Sequence, residues 1–186
     1  MTTQELQRRI ALYDDEAAYR ELFNRFYKPL LQFATAFTKS AEAAEEAVSD
    51  VFINIWERRR QLDTIENLKV YLYVSTRNAS LKYLLKQQKQ ASVSLDDLVM
   101  EPESPAPDPE QALLTAEMAA QAQQAIQQLP PRCKLVFKLI REDGLRYKEV
   151  AQILNISVKT IDNQLAIALQ KIGTALKMNL KKTIKD

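Results

Sequence analysis

The sequence predicts an all-α protein of two small helical domains joined by an acidic, proline-rich linker. Three observations carry that expectation. Apolar residues in both halves recur at spacings of three and four rather than two, the period of an amphipathic helix and not of a strand. Residues 94–110, SLDDLVMEPESPAPDPE, hold four of the seven prolines (Pro102, Pro105, Pro107, Pro109) and six acids. Alternating proline and like charge blocks helix and favours exposed, extended chain. Charge also separates along the chain: residues 1–90 carry 14 Lys+Arg against 12 Asp+Glu, residues 91–125 carry 0 against 7, and residues 126–186 carry 12 against 5. The net +2 therefore covers a basic C-terminal segment of +7 beside an acidic middle of −7. Such a division hints at a polyanionic partner. The expected boundaries are 1–91, a linker at 92–110, a second domain at 111–180 and a basic tail at 181–186.

The elements follow in order. Asp14 or Asp15 can cap a helix through Tyr19, Leu22, Phe23 and Phe26, and Pro29 then opens or kinks a second stretch through Leu30, Phe33 and Phe37. Ser40 caps the next helix, with Glu42, Glu45 and Glu46 near its positive end and Ala44, Val48, Val51, Phe52, Ile55 and Trp56 as its inward stripe. Leu62 to Asn67 form a short connection. A long helix then runs to about Lys89, with Leu68, Leu72, Ser75, Ala79 and Tyr83 on one face. Tyr71, Tyr73 and Tyr83 interleave there with Lys69, Arg77, Lys82, Lys86 and Lys89. Rings that stack on unpaired bases beside cations that follow phosphates suit single-stranded nucleic acid, although on spacing alone tyrosines at helical intervals more often form a core face.

In the second half, Pro130 and Pro131 start a helix with Leu135, Val136, Leu139 and Ile140 inward, and Gly144 stops it. RYKEVAQIL, residues 146–154, is a short helix with Val150, Ala151 and Leu154 inward. Asn155, Ile156 and Ser157 make a tight turn. Ser157 caps a longer helix with Ile161, Leu165, Ala168 and Ile172 inward. A short helix, a three-residue turn and a longer helix with polar first turns is the helix-turn-helix pattern, against an ordinary helical hairpin. Lys159, Thr160, Asn163 and Gln164 face outward where a recognition helix would enter the major groove, the amides suited to adenine edges and Lys to guanine or phosphate.

Composition removes other classes. Two glycines cannot build a glycine-cradled phosphate loop, and the absence of His removes the usual general base and a common metal ligand. The single Cys133 forms no internal disulfide or multi-thiolate site and fits a reducing compartment. Arg132, Lys134 and the helix dipole could favour its thiolate, or it is simply a small half-buried residue. No catalytic residue, metal or cofactor is expected, and the protein is not expected to be an enzyme. No apolar run approaches the roughly 18 residues of a membrane span, and MTTQELQRRI lacks a signal-peptide core. A cytoplasmic protein without membrane insertion is expected.

Three segments, AEEAVSDVFINIWERR at 44–59, NLKVYLYVSTRNASLKYLLK at 67–86 and LPPRCKLVFKLIREDGLRYKEVAQILNISVKTIDNQLAIALQKI at 129–172, together resemble extracytoplasmic-function (ECF) sigma factors of bacterial RNA polymerase, in the sigma-70 superfamily. The resemblance spares only the N-terminal dozen residues, the linker and the tail. It implies sigma region 2 at 1–91 and sigma region 4 at 111–180. It further implies a factor that binds core polymerase through the β′ clamp and β flap and directs promoter-specific initiation on double- and single-stranded DNA. An anti-sigma factor is an implied partner. By resemblance, Asp50 supplies a carboxylate to the clamp, helped by Glu46 and Asn54; Ser49-Asp50 stands where relatives often have Gln-Glu. The loop Leu62–Asn67 would capture a base flipped from the non-template strand of the minus-ten element. Glu66 and Asn67 would read its edge, Tyr71, Tyr73 and Arg77 would support the strand, and Lys82, Lys86 and Lys89 would hold phosphates. At the minus-thirty-five element, Arg146 and Lys148 would contact backbone and Ser157, Lys159, Thr160, Asn163 and Gln164 the bases, although many relatives carry more Arg on that helix. The acidic linker, with Asp96, Asp97, Glu101 and Glu103, would mimic nucleic acid near the RNA exit path. The competing reading is a LuxR-type helix-turn-helix regulator that binds duplex DNA without polymerase core.

Overall fold

The computed structural model describes residues 1–87 and 113–183, with side chains described over 1–86 and 119–176. The linker expectation and Lys89 lie outside the described residues. Every regular element among the described residues is helical, and the chain divides into two compact units.

The first unit opens with a helix that the periodicity above did not single out. Helix α1, Thr3–Tyr13, is started by a capping box: the Thr2 hydroxyl accepts from the Glu5 amide at 3.2 Å, and the Glu5 carboxylate accepts from the Thr2 amide at 2.6 Å. Leu6 and Ile10, one turn apart, are fully buried, and Asp14 ends the helix in the left-handed region at φ 50°. Asp15 caps α2, Glu16–Thr38, by accepting from the Ala18 amide at 2.9 Å, and that bond together with Arg9 holds its carboxyl below the usual value. Pro29 neither opens a new helix nor ends α2, which runs unbroken through it. Its ring removes one backbone donor. Phe26, Leu30, Phe33 and Phe37 nonetheless stay on one buried stripe across it, so packing outweighs the lost bond.

Ser40 starts α3, Ala41–Glu57, as expected, and Ala44, Val48, Val51, Phe52 and Ile55 are buried along it. Trp56 is only half-buried, its ring 4.9 Å from that of Tyr19 and covered by the Arg59 guanidinium at 4.6 Å. A 3₁₀ turn, Arg59–Thr64, leads into α4, Leu68–Gln87. The inward face of α4 is Leu68, Leu72, Tyr73, Thr76, Ser80 and Leu84, which corrects the expected line through Ser75, Ala79 and Tyr83. The reason is that α4 packs on both α2 and α3. Its buried arc is therefore wider than one stripe, and Ser75, Ala79 and Tyr83 sit half-buried on the α3 side.

The second unit begins with α5, Leu113–Gln127, which the sequence reading had not separated from its domain. Pro131 at the first turn starts α6, Pro131–Arg141. Gly144, at φ 64°, closes it: the Asp143 amide returns to the Lys138 carbonyl and the Leu145 amide to the Leu139 carbonyl, both at 3.0 Å. Helix α7, Tyr147–Leu154, is followed by Asn155 in the left-handed region at φ 55° and by Ser157, which starts α8, Val158–Thr183. The helix, three-residue turn and longer helix stand at the residues expected. Helix α8 continues to Thr183, past the expected start of the tail at 181. Leu129, Cys133 and Ala168 pack together under Ile126, Phe137 and Ile172, so α6 and α8 share one small core. Among the described residues no helix is long and apolar enough to cross a membrane.

Candidate functional site

A groove of about 440 Å³ runs between α3 and α4. Its construction follows from helical spacing. Glu46, Asp50 and Asn54 stand four apart and form one row on α3; Tyr71, Lys82 and Lys86 stand on the facing side of α4. One wall is thus acid and amide, the other phenol and cation. All six residues are exposed. The sequence reading assigned the first row to polymerase and the second to DNA, yet the fold lines one groove with both. Arg58 and Asn78 also line it and were not singled out. The charge and amide chemistry was legible in both, but only the facing of the two helices brings them to the row.

Contacts across and along the walls hold the rows in place. Tyr83 on α4 donates its hydroxyl to the Glu46 carboxylate, and the Asn54 amide donates to the Asp50 backbone carbonyl at 2.7 Å. The Asp50 carboxylate stays exposed at the middle of its row.

Tyr73 corrects an expectation. It is 1% exposed, edge-on to Phe33 with ring centroids 5.1 Å apart, and is a core ring rather than a platform for a strand. Two residues away, Tyr71 is 39% exposed and keeps its ring available. Adjacent odd positions on a helix differ by about 200°, so one of the two had to face the core. Arg77 is half-buried and does not line the groove.

Glu66 and Asn67 lie elsewhere, in the loop ahead of α4. Both are exposed. The Asn67 Oδ1 accepts from the Val70 amide at 3.1 Å, so this side chain caps α4. Glu66 lines a hollow of about 520 Å³ with Asp63, Glu5 and Arg8. The structure therefore does not bring the expected minus-ten residues together: Glu66 lines this hollow, Tyr71, Lys82 and Lys86 line the groove, and Asn67, Tyr73 and Arg77 line neither.

Around the turn of the second unit, Arg146, Lys148, Lys159 and Asn163 are exposed. The Arg146 amide donates to the Glu149 carboxylate at 2.7 Å. Ser157 is committed to the helix start: its Oγ accepts from the Thr160 amide at 3.0 Å and lies 2.8 Å from the Thr160 hydroxyl. Gln164 corrects a second expectation. It is half-buried, and its Oε1 accepts from the Cys133 thiol at 3.0 Å, so it turns toward the core instead of outward. Burial in turn raises Cys133 above its ordinary value, against the opposing pull of Lys171 and Arg132, so the thiol form is favoured and not the thiolate. Among the described residues, no cluster of three or more His, Cys, Asp or Glu is placed to hold a metal ion.

Comparison with known proteins covers both units. The Sigma-70 region 2 family matches residues 22–90 and the Sigma-70 region 4 family residues 119–172. The chain is 25% identical over 168 residues to the ECF RNA polymerase sigma factor RpoE of Cereibacter sphaeroides, covering 90% of this chain and 91% of that protein. It is 26% identical over 158 residues to the ECF RNA polymerase sigma factor SigM of Bacillus subtilis, covering 82% and 91%. Among solved structures, the fold is similar to RpoE of Bartonella quintana, solved in complex with the anti-sigma factor NepR, at a TM-score of 0.55 and 20% identity over 86% of this chain and 96% of that one. It is likewise similar to CnrH in complex with the cytosolic domain of CnrY, at a TM-score of 0.54 and 18% identity over 94% and 97%. The region 2 match occupies the part of the chain where a LuxR-type regulator would carry a sensing domain, and that reading is not favoured.

Proposed function

The chain belongs to the sigma-70 family, among its extracytoplasmic-function members, and from that premise we propose that it docks on core RNA polymerase through the α3 row and directs initiation at promoters with minus-ten and minus-thirty-five elements. The observation that carries this reading is the exposed Asp50 carboxylate, flanked by Glu46 and Asn54 in one row on α3, a charge suited to a basic surface of the β′ clamp. In this reading the opposite wall of the groove, Tyr71 with Lys82 and Lys86, takes the separated strand by stacking and phosphate contact. Glu66 and Asn67 meet the flipped base, and Arg77 supports the strand from α4.

The second unit would dock on the β flap and read the minus-thirty-five duplex. Lys159 and Asn163 face the bases, while Arg146 and Lys148 hold the backbone. Ser157 and Thr160 act here mainly by fixing the helix start. Residues 1–91 and 111–180 would be the two functional domains, with 92–110 tethering them so that each raises the local concentration of the other at a promoter. An anti-sigma factor would hold the free protein by covering these faces.

Run-off transcription on fragmented genomic DNA with purified core polymerase tests the reading. Discrete start sites that require the protein and vanish with Asp50→Lys are expected. A protein that shifts duplex DNA by itself yet never yields a transcript with core would overturn it.

A further inference from the structure

Helix α1 precedes the region 2 match at 22–90. Its side chain Gln7 is 6% exposed, an unusual burial for a polar group, and its single amide nitrogen donates to two backbone carbonyls more than fifty residues away: Leu62 at 2.6 Å and Ile65 at 2.7 Å. Those carbonyls belong to the end of the 3₁₀ turn, where helical acceptors run out of backbone donors. The Leu62 carbonyl takes one further bond, from the Ile65 amide at 3.0 Å. Both amide protons of Gln7 are therefore used, and they draw two carbonyls onto one nitrogen. In effect α1 caps, from outside, the turn that delivers the chain to Glu66 and Asn67.

The segment between is short and fixed at both ends. Gln7 holds it at Leu62 and Ile65; three residues after Asn67, the Val70 amide ties the Asn67 side chain to the start of α4. Only Glu66 and the Asn67 backbone remain between these anchors. Helix α1 is itself secured: Leu6 and Ile10 are fully buried, the Met1 carbonyl accepts from Arg25 at 2.7 Å, and Arg9 pairs with Asp15. A rigid helix thus sets the loop, and the hollow beside Glu66 is walled partly by Glu5 and Arg8 of that helix.

We propose that Gln7 is a positioning residue for promoter opening: by clamping the Leu62 and Ile65 carbonyls it fixes the loop that presents Glu66 and Asn67 to the non-template strand. This rests on the reading of that loop as the base-capturing segment. Gln7 touches no DNA. It acts by removing alternative loop conformations, so that the free energy of unstacking a base is met by a preformed surface.

The test uses the full chain with core RNA polymerase, on a duplex promoter that wild-type holoenzyme transcribes and on the same fragment with its minus-ten stretch already opened by mismatches. Gln7→Met keeps the length and shape of the side chain and removes both donors. It is expected to bind core as the wild type does and to form open complexes on the duplex about tenfold more slowly, the scale set by losing two hydrogen bonds and leaving the Ile65 carbonyl without the Gln7 donor. On the pre-opened fragment its rate recovers, which a general loss of folding would not allow. Gln7→Asn, whose amide stops a methylene short of its acceptors, is read by the same criteria and stands in should the Met variant fail to fold. Duplex opening within about twofold of wild type, or equal slowing on both fragments, overturns the proposal. Asn67→Ser, which keeps a capping oxygen and loses the amide, and Glu66→Ala separate the two levels. If both open the duplex normally, the loop does not meet the strand and the premise falls with the inference; if they slow opening and Gln7→Met does not, Gln7 alone is overturned.

Discussion

The two units build their surfaces by different means. In the first, the residues that line the groove come from α3 and α4, and the contact that steadies Glu46 comes from Tyr83, 37 residues along the chain. In the second, the polar groups around the turn are set by neighbours three residues away, Ser157 by Thr160 and Arg146 by Glu149. A surface assembled across helices shares its integrity with the whole bundle. One assembled along a single turn can be altered with little effect elsewhere. The lesson is that perturbations should spread in the first unit and stay local in the second.

The largest expected effect strikes the first unit. Asp50→Lys reverses the charge at the centre of the α3 row and should weaken core polymerase binding by about 2 kcal/mol, roughly thirtyfold, without changing affinity for an isolated minus-thirty-five duplex. Fluorescence anisotropy with labelled protein measures both, and a matching loss on the duplex would break the separation of the units. Asn163→Ala should cost about 1–2 kcal/mol at one base position of the duplex and leave the other positions unchanged. A uniform loss over all sequences would assign Asn163 to the backbone instead. Ser157→Ala removes the acceptor for the Thr160 amide and should lower stability by about 1 kcal/mol, read as a shift in the denaturant midpoint. The smallest effect sharpens the contrast most: Tyr83→Phe and Glu46→Gln, alone and together, should show a coupling of roughly 0.5 kcal/mol in unfolding free energy, the mark of one contact bridging two helices. Additive losses would mean that the two helices hold their rows independently.

The same contrast explains what could be read from the chain alone. Caps at Asp15, Ser40 and Ser157, the Gly144 stop and the left-handed Asn155 turn are local physics, and each stands where the residues put it. Pro29 opens no new helix because its cost is local whereas the stripe that carries α2 through it is tertiary. Helix α1 carries its own signal, Thr2 with Glu5 ahead of Leu6 and Ile10, but its partner loop is far along the chain. Tyr71 and Tyr73 could not be told apart by periodicity, because burial on two sides of α4 widens the inward arc. Gln164 stands three residues after Ile161 and four before Ala168, at the border of the inward stripe, so spacing allowed its inward turn where polarity argued against it; the packing of α8 against α6 gives it a thiol to face. Composition foretold amphipathic helices and a charged surface, and the pairing of rows had to come from the fold.

The reach of Gln7 also bears on the order in which the protein takes shape during synthesis. Its acceptors lie 55 and 58 residues downstream, so α1 leaves the ribosome long before anything exists for its buried amide to hold. An eleven-residue helix is marginal in water by itself, and until the 3₁₀ turn has been translated α1 has only its contacts with α2 to steady it. The clamp of Gln7 on that turn can therefore close only once α2 and α3 have been made.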